Sequence, residues 1–177
     1  MISMHDGSRG ERLDPPRDAR RQIVVKHFRP ATGLRGWRQR FKAGKARRSW
    51  NGAQELLRRG IPTPEPVAWL EHPARPHAHE SYYLCAAFAG GTSARQAFYA
   101  VNGGAAEFLG EPVAGLFRQI AELLARMHGR GVFYRDLSAG NLLLRRGADG
   151  NLEFALIDTG RARIGVKGLG IRPRLAD

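Results

Sequence analysis

The sequence contains almost no cysteine, no long apolar run and few acidic residues. Its 177 residues include one cysteine, Cys85, so an internal disulfide and a cysteine-ligated metal cluster are excluded. No apolar stretch approaches the roughly 20 residues that a membrane-spanning helix needs. The N-terminal residues also lack the charged and apolar regions of a signal peptide. We therefore expect a cytoplasmic protein with one buried structural thiol.

The shortage of acidic residues leaves a formal net charge of +13, from 29 Lys and Arg against 16 Asp and Glu. The positive charge is densest in residues 35–59. It favours anionic partners such as nucleic acid, an acidic membrane surface or a phosphorylated substrate, and the alternative is a solvated, arginine-rich surface. The sequence has neither zinc-finger spacing nor an aromatic-rich RNA-binding strand, so a nucleic-acid-binding protein is not expected.

The first half of the chain predicts strands around one basic helix. Residues 1–21 are polar and contain glycine and proline, so they are predicted to be disordered or the partial start of a lobe. The β-branched run at 22–28 predicts a strand with Lys26 inside it. The basic segment 37–59 predicts a helix that ends at Gly60. Its predicted buried face consists of four apolar residues at helical spacing: Trp50, Ala53, Leu56 and Leu57.

The second half predicts a long helix followed by a hairpin. Residues 113–130 form the clearest helical pattern, with five apolar residues on one predicted stripe: Leu116, Ile120, Leu123, Leu124 and Met127. Two apolar runs at 142–144 and 154–157 are joined by a segment rich in glycine, Asp and Asn, which predicts a β-hairpin.

Polar groups suited to phosphoryl transfer lie around this hairpin. Asp136 lies in the loop after the long helix, Asn141 opens the first strand, and Asp158 closes the second. The hairpin would bring Asp158 back beside Asn141, and such hard oxygen ligands are those that Mg²⁺ prefers. Lys26, central in its strand, could reach the phosphates of a nucleotide. Together these groups predict a site for a divalent metal and a transferred phosphoryl group.

The same residues resemble the motifs of protein kinases. The segment 134–141, Tyr-Arg-Asp-Leu-Ser-Ala-Gly-Asn, resembles the catalytic loop H-R-D-L-x-x-x-N, and 158–160, Asp-Thr-Gly, resembles D-F-G. Val-Val-Lys at 24–26 resembles the strand-three V-A-I-K lysine. The segments Val-Val-Lys-His-Phe, Gly-Ile-Pro-Thr-Pro-Glu-Pro-Val and Leu-Ile-Asp-x-x-Arg-Ala-Arg are similar, in this order, to those of bacterial lipopolysaccharide kinases that phosphorylate the inner-core sugars Kdo or heptose. The resemblance covers about residues 22–177.

This resemblance implies an α+β, protein-kinase-like two-lobed fold. The N-lobe would span 22–90, and a partial C-lobe at 91–177 would carry the catalytic loop and the metal-binding hairpin. ATP and Mg²⁺ would be the cofactors, and a sugar or lipid-sugar hydroxyl would be the acceptor. The basic helix would make peripheral contact with an anionic membrane surface, at the inner face of the inner membrane.

The resemblance also implies a role for each candidate site residue. Lys26 would hold ATP phosphates, Asp136 would be the catalytic base or orient the acceptor hydroxyl, and Asn141 with Asp158 would bind Mg²⁺. Residues 84–90 would be the hinge that contacts adenine.

The sequence departs from the kinase pattern in its catalytic motifs and in the basic helix. Tyr134 and Thr159 replace the usual His and Phe of the two catalytic motifs. Glu55, the only acid of the basic helix, is the candidate partner of Lys26, although Ser49 stands where the family often has an acid.

The two ends of the chain leave other functions open. The glycine-rich loop is weak, since only Gly7-Ser-Arg-Gly10 lies at a suitable distance before Lys26. The chain stops soon after Asp158, so the large helices of a kinase C-lobe are missing and a truncated C-lobe is expected. A protein serine/threonine kinase would need a substrate-docking A-P-E motif, which the sequence lacks. The alternative from another class is an inactive, truncated kinase-like binding module.

Overall fold

The computed structural model describes residues 10–13, 22–30, 43–73, 79–134 and 137–165. Within these ranges helices and mostly antiparallel strands are mixed, so the α+β class predicted from the sequence is confirmed. The predicted boundaries between the N-lobe and the C-lobe stay predictions.

The first half of the chain builds a four-stranded antiparallel sheet with the order β1-β2-β4-β3. Its strands are β1 (Gly10–Leu13), β2 (Ile23–Phe28), β3 (Pro66–Leu70) and β4 (Ser81–Ala86). Pro66 begins β3 at the edge of the sheet, where a residue without an N–H group costs no ladder hydrogen bond. Strand β2 is central and carries Lys26 opposite Tyr83 of β4, which fixes the lysine in the middle of the sheet. Within residues 1–21 the structure describes β1 alone.

Helix α1 (Lys45–Arg58) packs against this sheet. Ala46 and Ala53 are fully buried in a small core with Phe28 and Tyr83 from the strands. The predicted helix end is confirmed, because Gly60 follows the last turn with a φ of 62°, a left-handed value that glycine adopts without strain. Residues 37–42 of the predicted helix lie outside the described residues.

The predicted buried face of α1 is wrong at one position. Leu57 is 39% exposed, whereas Leu56 is fully buried and Trp50 is half-buried. The buried stripe runs through Ser49, Ala53 and Leu56, and Leu57 lies about 100° further around the helix. Among the described residues α1 packs against the sheet and against the turn after Asp158, and the exposed Leu57 lies outside the buried stripe.

A link at residues 87–91 leads from the sheet to a helical region. Its elements are β5 (Thr92–Ser93), α2 (Ala94–Asn102), the hairpin of β6 (Glu107–Phe108) and β7 (Glu111–Pro112), and α3 (Val113–Gly129). The apolar stripe predicted on α3 is confirmed by four fully or nearly buried residues and one partly buried one: Leu116, Ile120, Leu123, Met127 and Leu124. This stripe forms the larger hydrophobic core with the strands that follow.

Those strands place the C-terminal motifs. They are β8 (Val132–Tyr134), β9 (Leu142–Arg146), β10 (Leu152–Leu156) and β11 (Ala162–Ile164). The predicted hairpin is confirmed, since β9 and β10 pair with Leu142 opposite Leu156. Strand β5 pairs with β9, and β11 pairs with β8. These two pairings hold the strands on either side of the loop between β8 and β9. Among the described helices none is both long and apolar enough to cross a membrane.

Candidate phosphotransfer site

An ion pair between the sheet and the C-terminal hairpin lies at the centre of the candidate site. Lys26 Nζ is 2.7 Å from Asp158 Oδ1, although 132 residues separate them in the chain. Both side chains are less than one-fifth exposed. The central position of Lys26 in β2 and the end of β10 therefore bring together two of the residues predicted to bind nucleotide and metal.

A second cation holds the other oxygen of the same carboxylate. Arg161 Nε lies 3.0 Å from Asp158 Oδ2, at i+3 across the single helical turn Thr159–Arg161. Asp158 itself has a φ of 58° and a ψ of 41°, a left-handed conformation that is uncommon outside glycine and is tolerated best by Asn and Asp. The two cations and the turn fix the direction in which this carboxylate points. The sequence analysis did not identify Arg161, although its i+3 spacing from Asp158 was a usable signal.

The chain leading into Asp158 is anchored by three hydrogen bonds from separate elements. The Thr63 hydroxyl donates to the carbonyl of Leu156 at 2.7 Å, in a buried position. The Tyr134 hydroxyl donates to the carbonyl of Ile157 at 3.2 Å. The Ile157 N–H donates to the carbonyl of Asn141 at 2.8 Å. These bonds satisfy backbone groups beside the site and restrict movement of the Asp158 backbone.

The last of these bonds also places Asn141 next to Asp158. Asn141 ends a short 3-10 turn (Ala139–Asn141) immediately before β9, and Asp158 follows β10, so both stand at the same end of the hairpin. A carboxylate and an amide oxygen suit a Mg²⁺ ion, which usually takes one or two protein carboxylates and completes its shell with water and substrate phosphates. The donor set therefore fits the predicted metal.

Asp136, the predicted catalytic residue, lies outside the described residues together with Arg135. Its position in the chain is bracketed by Tyr134 and Leu137, which are both described. Tyr134, which replaces the usual His of the catalytic loop, is fully buried, and burial raises the pKa of its phenol. Tyr134 therefore stays protonated and ties the start of this loop to the residue before Asp158.

The predicted pair between Lys26 and Glu55 is not formed. Glu55 instead contacts Arg59, with Nε to Oε1 at 3.0 Å, and Arg58 at 3.7 Å. Glu55 lies six residues after Ser49, about 9 Å further along α1 and on another face, because each residue turns the helix by about 100°. Ser49 lines the same cavity as Lys26 and Asp158, together with Lys45 and Arg48 of α1, and its hydroxyl cannot form an ion pair with the lysine. Lys26 therefore forms its ion pair with Asp158 instead of with an acidic residue of this helix.

Helix α1 is fastened directly to the turn after Asp158. The Thr159 hydroxyl donates to the carbonyl of Ser49 at 2.6 Å, and both residues are buried. A Cβ atom added at Gly52 would overlap the carbonyl oxygen of Thr159. Glycine in the middle of the helix thus permits a close approach of the two backbones, which accounts for a residue that is otherwise unfavourable there. The Thr in the D-T-G motif makes a contact that Phe could not make.

The site opens into a cavity of about 180 Å³ between β2, the start of α1 and the turn after Asp158. Its walls include the ion pair and three further cationic side chains, and the full set is Lys26, Phe28, Lys45, Arg48, Ser49, Asp158, Gly160 and Arg161. Sequence reasoning placed Lys45 and Arg48 in the basic helix but not in the site, because their direction depends on how α1 packs.

The predicted hinge at 84–90 covers the end of β4 and the link to β5. The Ala87 N–H donates to the carbonyl of Gln22 at 2.7 Å, which ties the hinge to β2. On the other side, the Arg145 guanidinium lies 4.4 Å from the centre of the Phe88 ring and donates to the carbonyl of Ala89 at 3.0 Å. The link is therefore held by the sheet and by β9, while its contact with adenine stays a prediction.

Comparisons with known proteins agree with this arrangement. A sequence model of the lipopolysaccharide kinase (Kdo/WaaP) family matches residues 20–168. The structure of WaaP in complex with acyl carrier protein matches with a TM-score of 0.64 and 21% identity, over 99% of this chain and 66% of that one. The crystal structure of WbdD matches with a TM-score of 0.50 and 16% identity, over 88% of this chain and 33% of that one. No curated protein matches the sequence significantly.

These matches confirm the protein-kinase-like fold predicted from the motifs. The chain spans slightly less than two thirds of the WaaP chain. The family match covers the Lys26 strand, the basic helix and the hairpin that ends at Asp158. The chain therefore belongs to the lipopolysaccharide kinase (Kdo/WaaP) family.

Proposed function

We propose that this chain is an ATP-dependent kinase that phosphorylates a sugar hydroxyl of the lipopolysaccharide inner core, on Kdo or heptose. The observation that carries the proposal is the Lys26–Asp158 ion pair, at 2.7 Å, inside a family match that spans both residues. Phosphoryl transfer requires a cation for the nucleotide phosphates and a carboxylate for the metal at one point, and this pair places them in contact.

Each residue of the site has a role in this proposal. Lys26 binds nucleotide phosphates, and Asp158 with Asn141 would hold Mg²⁺. When bound, that ion offsets negative charge on the phosphates. Arg161 keeps the Asp158 carboxylate oriented, and the bonds from Thr63 and Tyr134 hold the preceding backbone in place. Asp136, which stays a prediction, would orient the acceptor hydroxyl and accept its proton.

The net charge of +13 supports an anionic acceptor and peripheral contact with an acidic membrane surface. Under this proposal the protein works in the cytoplasm at the inner face of the inner membrane. A protein serine/threonine kinase is the second candidate, and the missing A-P-E motif disfavours it. An inactive binding module is the third, and the intact Lys26–Asp158 pair disfavours it.

Thermal shift with ATP and Mg²⁺ tests nucleotide binding. We expect ATP with Mg²⁺ to raise the melting temperature of the wild-type chain and to have no such effect on Asp158→Ala. Glu122→Ala is the matched control, because Glu122 is exposed on α3 and does not line the cavity. A wild-type chain without any nucleotide-dependent shift would overturn the active-kinase proposal.

A further inference from the structure

The cavity beside the ion pair has a surplus of positive charge. Among the described residues, four cationic side chains line it, Lys26, Lys45, Arg48 and Arg161, against one carboxylate, Asp158. Both oxygens of that carboxylate are already engaged, Oδ1 by Lys26 and Oδ2 by Arg161. The described part of the cavity lining therefore offers no further acidic group to Lys45 and Arg48.

One nitrogen atom of Arg48 has no hydrogen-bond acceptor in the described part of this cavity wall. Its Nε is buried and has no hydrogen-bond partner among the residues that the structure describes. A charged donor that loses water without gaining an acceptor is unfavourable, so such a group in a cavity wall indicates a missing anionic partner. An acceptor that enters the cavity would remove this cost.

The start of α1 adds to the same preference. The helix begins at Lys45, its N-cap residue Gly44 has no side chain to cap it, and its first turn contains no acid. The first N–H groups of a helix have no partner within the helix, and its dipole favours negative charge at this end. Lys45, Arg48 and Ser49, all within the first five residues of α1, line the cavity.

We propose that Lys45 and Arg48, together with Arg161, form a phosphate-binding subsite beside the Lys26–Asp158 pair. The ligand is a terminal phosphate group, for which three cations, two of them fork-shaped guanidinium groups, are well suited. A cavity volume of about 180 Å³ leaves room for a tetrahedral phosphate group. The subsite deepens the proposed function, on which it rests for the source of that phosphate: the nucleotide or a phosphate already present on the acceptor.

The subsite also gives a reason for the missing acid on α1. A carboxylate at Ser49 would pair with Lys26, but it would also stand in the cavity among the cations and repel a bound phosphate. With serine there, the beginning of α1 becomes an element that binds anions instead of one that pairs with the lysine.

Titration of the full chain with inorganic phosphate, followed by calorimetry, tests the subsite directly. We expect Arg48→Gln and Lys45→Gln each to weaken phosphate binding by about tenfold, the factor that corresponds to one charge-assisted hydrogen bond. Arg58→Gln is the matched control, because it removes the same charge from the same helix at a side chain that is 75% exposed, and it should change the affinity by less than about twofold.

Melting temperatures without phosphate separate binding from a structural role. We expect Arg48→Gln to melt at the wild-type temperature or above it, since the substitution removes a buried Nε–H group that has no hydrogen-bond partner among the described residues. A lowered melting temperature for Arg48→Gln, together with unchanged phosphate affinity in Lys45→Gln, would overturn the subsite. Equal losses of affinity in Arg58→Gln and Arg48→Gln would overturn it as well, because they would indicate general charge attraction.

Competition experiments assign the source of the phosphate. A non-hydrolysable ATP analogue that displaces inorganic phosphate from the wild-type chain identifies the nucleotide as the source. Simultaneous binding of the analogue and ribose 5-phosphate, with only the latter weakened in Arg48→Gln, identifies the acceptor. Either result supports the subsite. A wild-type chain that binds phosphate through Arg48 but binds no nucleotide would contradict the proposed function and leave the subsite intact.

Discussion

At the scale of single residues, the account depends on how Asp158 is held. Lys26 and Arg161 each form an ion pair with one oxygen of its carboxylate. Its backbone is in a left-handed conformation that the surrounding hydrogen bonds maintain. A site that must present one carboxylate to a metal gains from such preorganisation, since less conformational freedom is lost on binding. The sequence motif predicted that Asp158 is important, but only the structure shows that Arg161 shares it with Lys26.

We predict that Arg161→Gln weakens Mg²⁺-dependent nucleotide binding by about tenfold, because the Asp158 carboxylate loses one of its two orienting cations, a loss on the order of 1.5 kcal/mol. The matched control is Arg163→Gln, which removes a similar charge from an exposed position in β11. Calorimetric titration with a non-hydrolysable ATP analogue measures both variants. Indistinguishable affinities for the two would show that Arg161 does not position Asp158.

A second prediction at this scale concerns Cys85. Burial is the main reason that the pKa of this thiol is raised to about 11, so at pH 8 it is ionised on the order of 100 times less than a thiol with an ordinary value near 9. We expect iodoacetamide to label the native chain at least on the order of 100 times more slowly than the urea-unfolded chain. Similar labelling rates in the two states would contradict the partly buried position of Cys85 on β4, between β2 and β3.

At the scale of elements, α1 and the turn after Asp158 act as one unit. The Thr159 bond to Ser49 and the close approach at Gly52 join the helix to the turn after Asp158. Movement of α1 would therefore move Asp158. In this chain the helix is coupled to the site through backbone contacts, whereas the motif comparison predicted coupling through a glutamate.

Glycine-to-alanine substitutions test this coupling. We predict that Gly52→Ala destabilises the fold by about 2 kcal/mol or more, because its Cβ would overlap the Thr159 carbonyl oxygen and force the helix away from the turn. Gly129→Ala is the control at the end of α3, where an added Cβ meets nothing within 4 Å, and it should be neutral or stabilising by up to about 1 kcal/mol. Urea unfolding measures both. A Gly52→Ala variant as stable as Gly129→Ala would contradict the interlock.

The elements also show how far the sequence could predict the structure. Patterns that need only local spacing were sufficient to predict strand β2, the buried stripe on α3 and the β9–β10 hairpin. The buried and exposed faces of α1 were harder to predict, because the helix packs on both a sheet and a turn. Its apolar pattern predicted Leu57 as buried, and the kinase resemblance predicted Glu55 as the partner of Lys26. In the structure Leu57 is exposed and Glu55 contacts Arg59.

At the scale of the whole molecule, distant parts of the chain meet at one cavity. Lys26 and Asp158 are 132 residues apart, and Arg48 lies between them in sequence on a third element. Motifs predicted the first two, because each belongs to a recognisable local pattern. No local pattern distinguishes Arg48 from its basic neighbours, so only the packing of α1 shows that it lines the cavity.

The positive charge of the molecule is unevenly distributed. Part of the net charge of +13 is concentrated in the cavity lining, where the described residues include four cations and one carboxylate. This distribution favours phosphate groups over a general anionic surface as the partner of those residues. The positive charge is visible in the sequence, but its concentration at the candidate phosphotransfer site is visible only in the folded chain.

Transfer of the γ-phosphoryl group from labelled ATP to lipopolysaccharide core lipid-sugar, with Mg²⁺ and with the full chain, tests the central claim most directly. The account predicts labelled lipid-sugar with the wild-type chain, none with Asp158→Ala, and wild-type labelling with Glu122→Ala. Labelling of a generic protein acceptor alone, or equal labelling by the wild-type chain and Asp158→Ala, would contradict it.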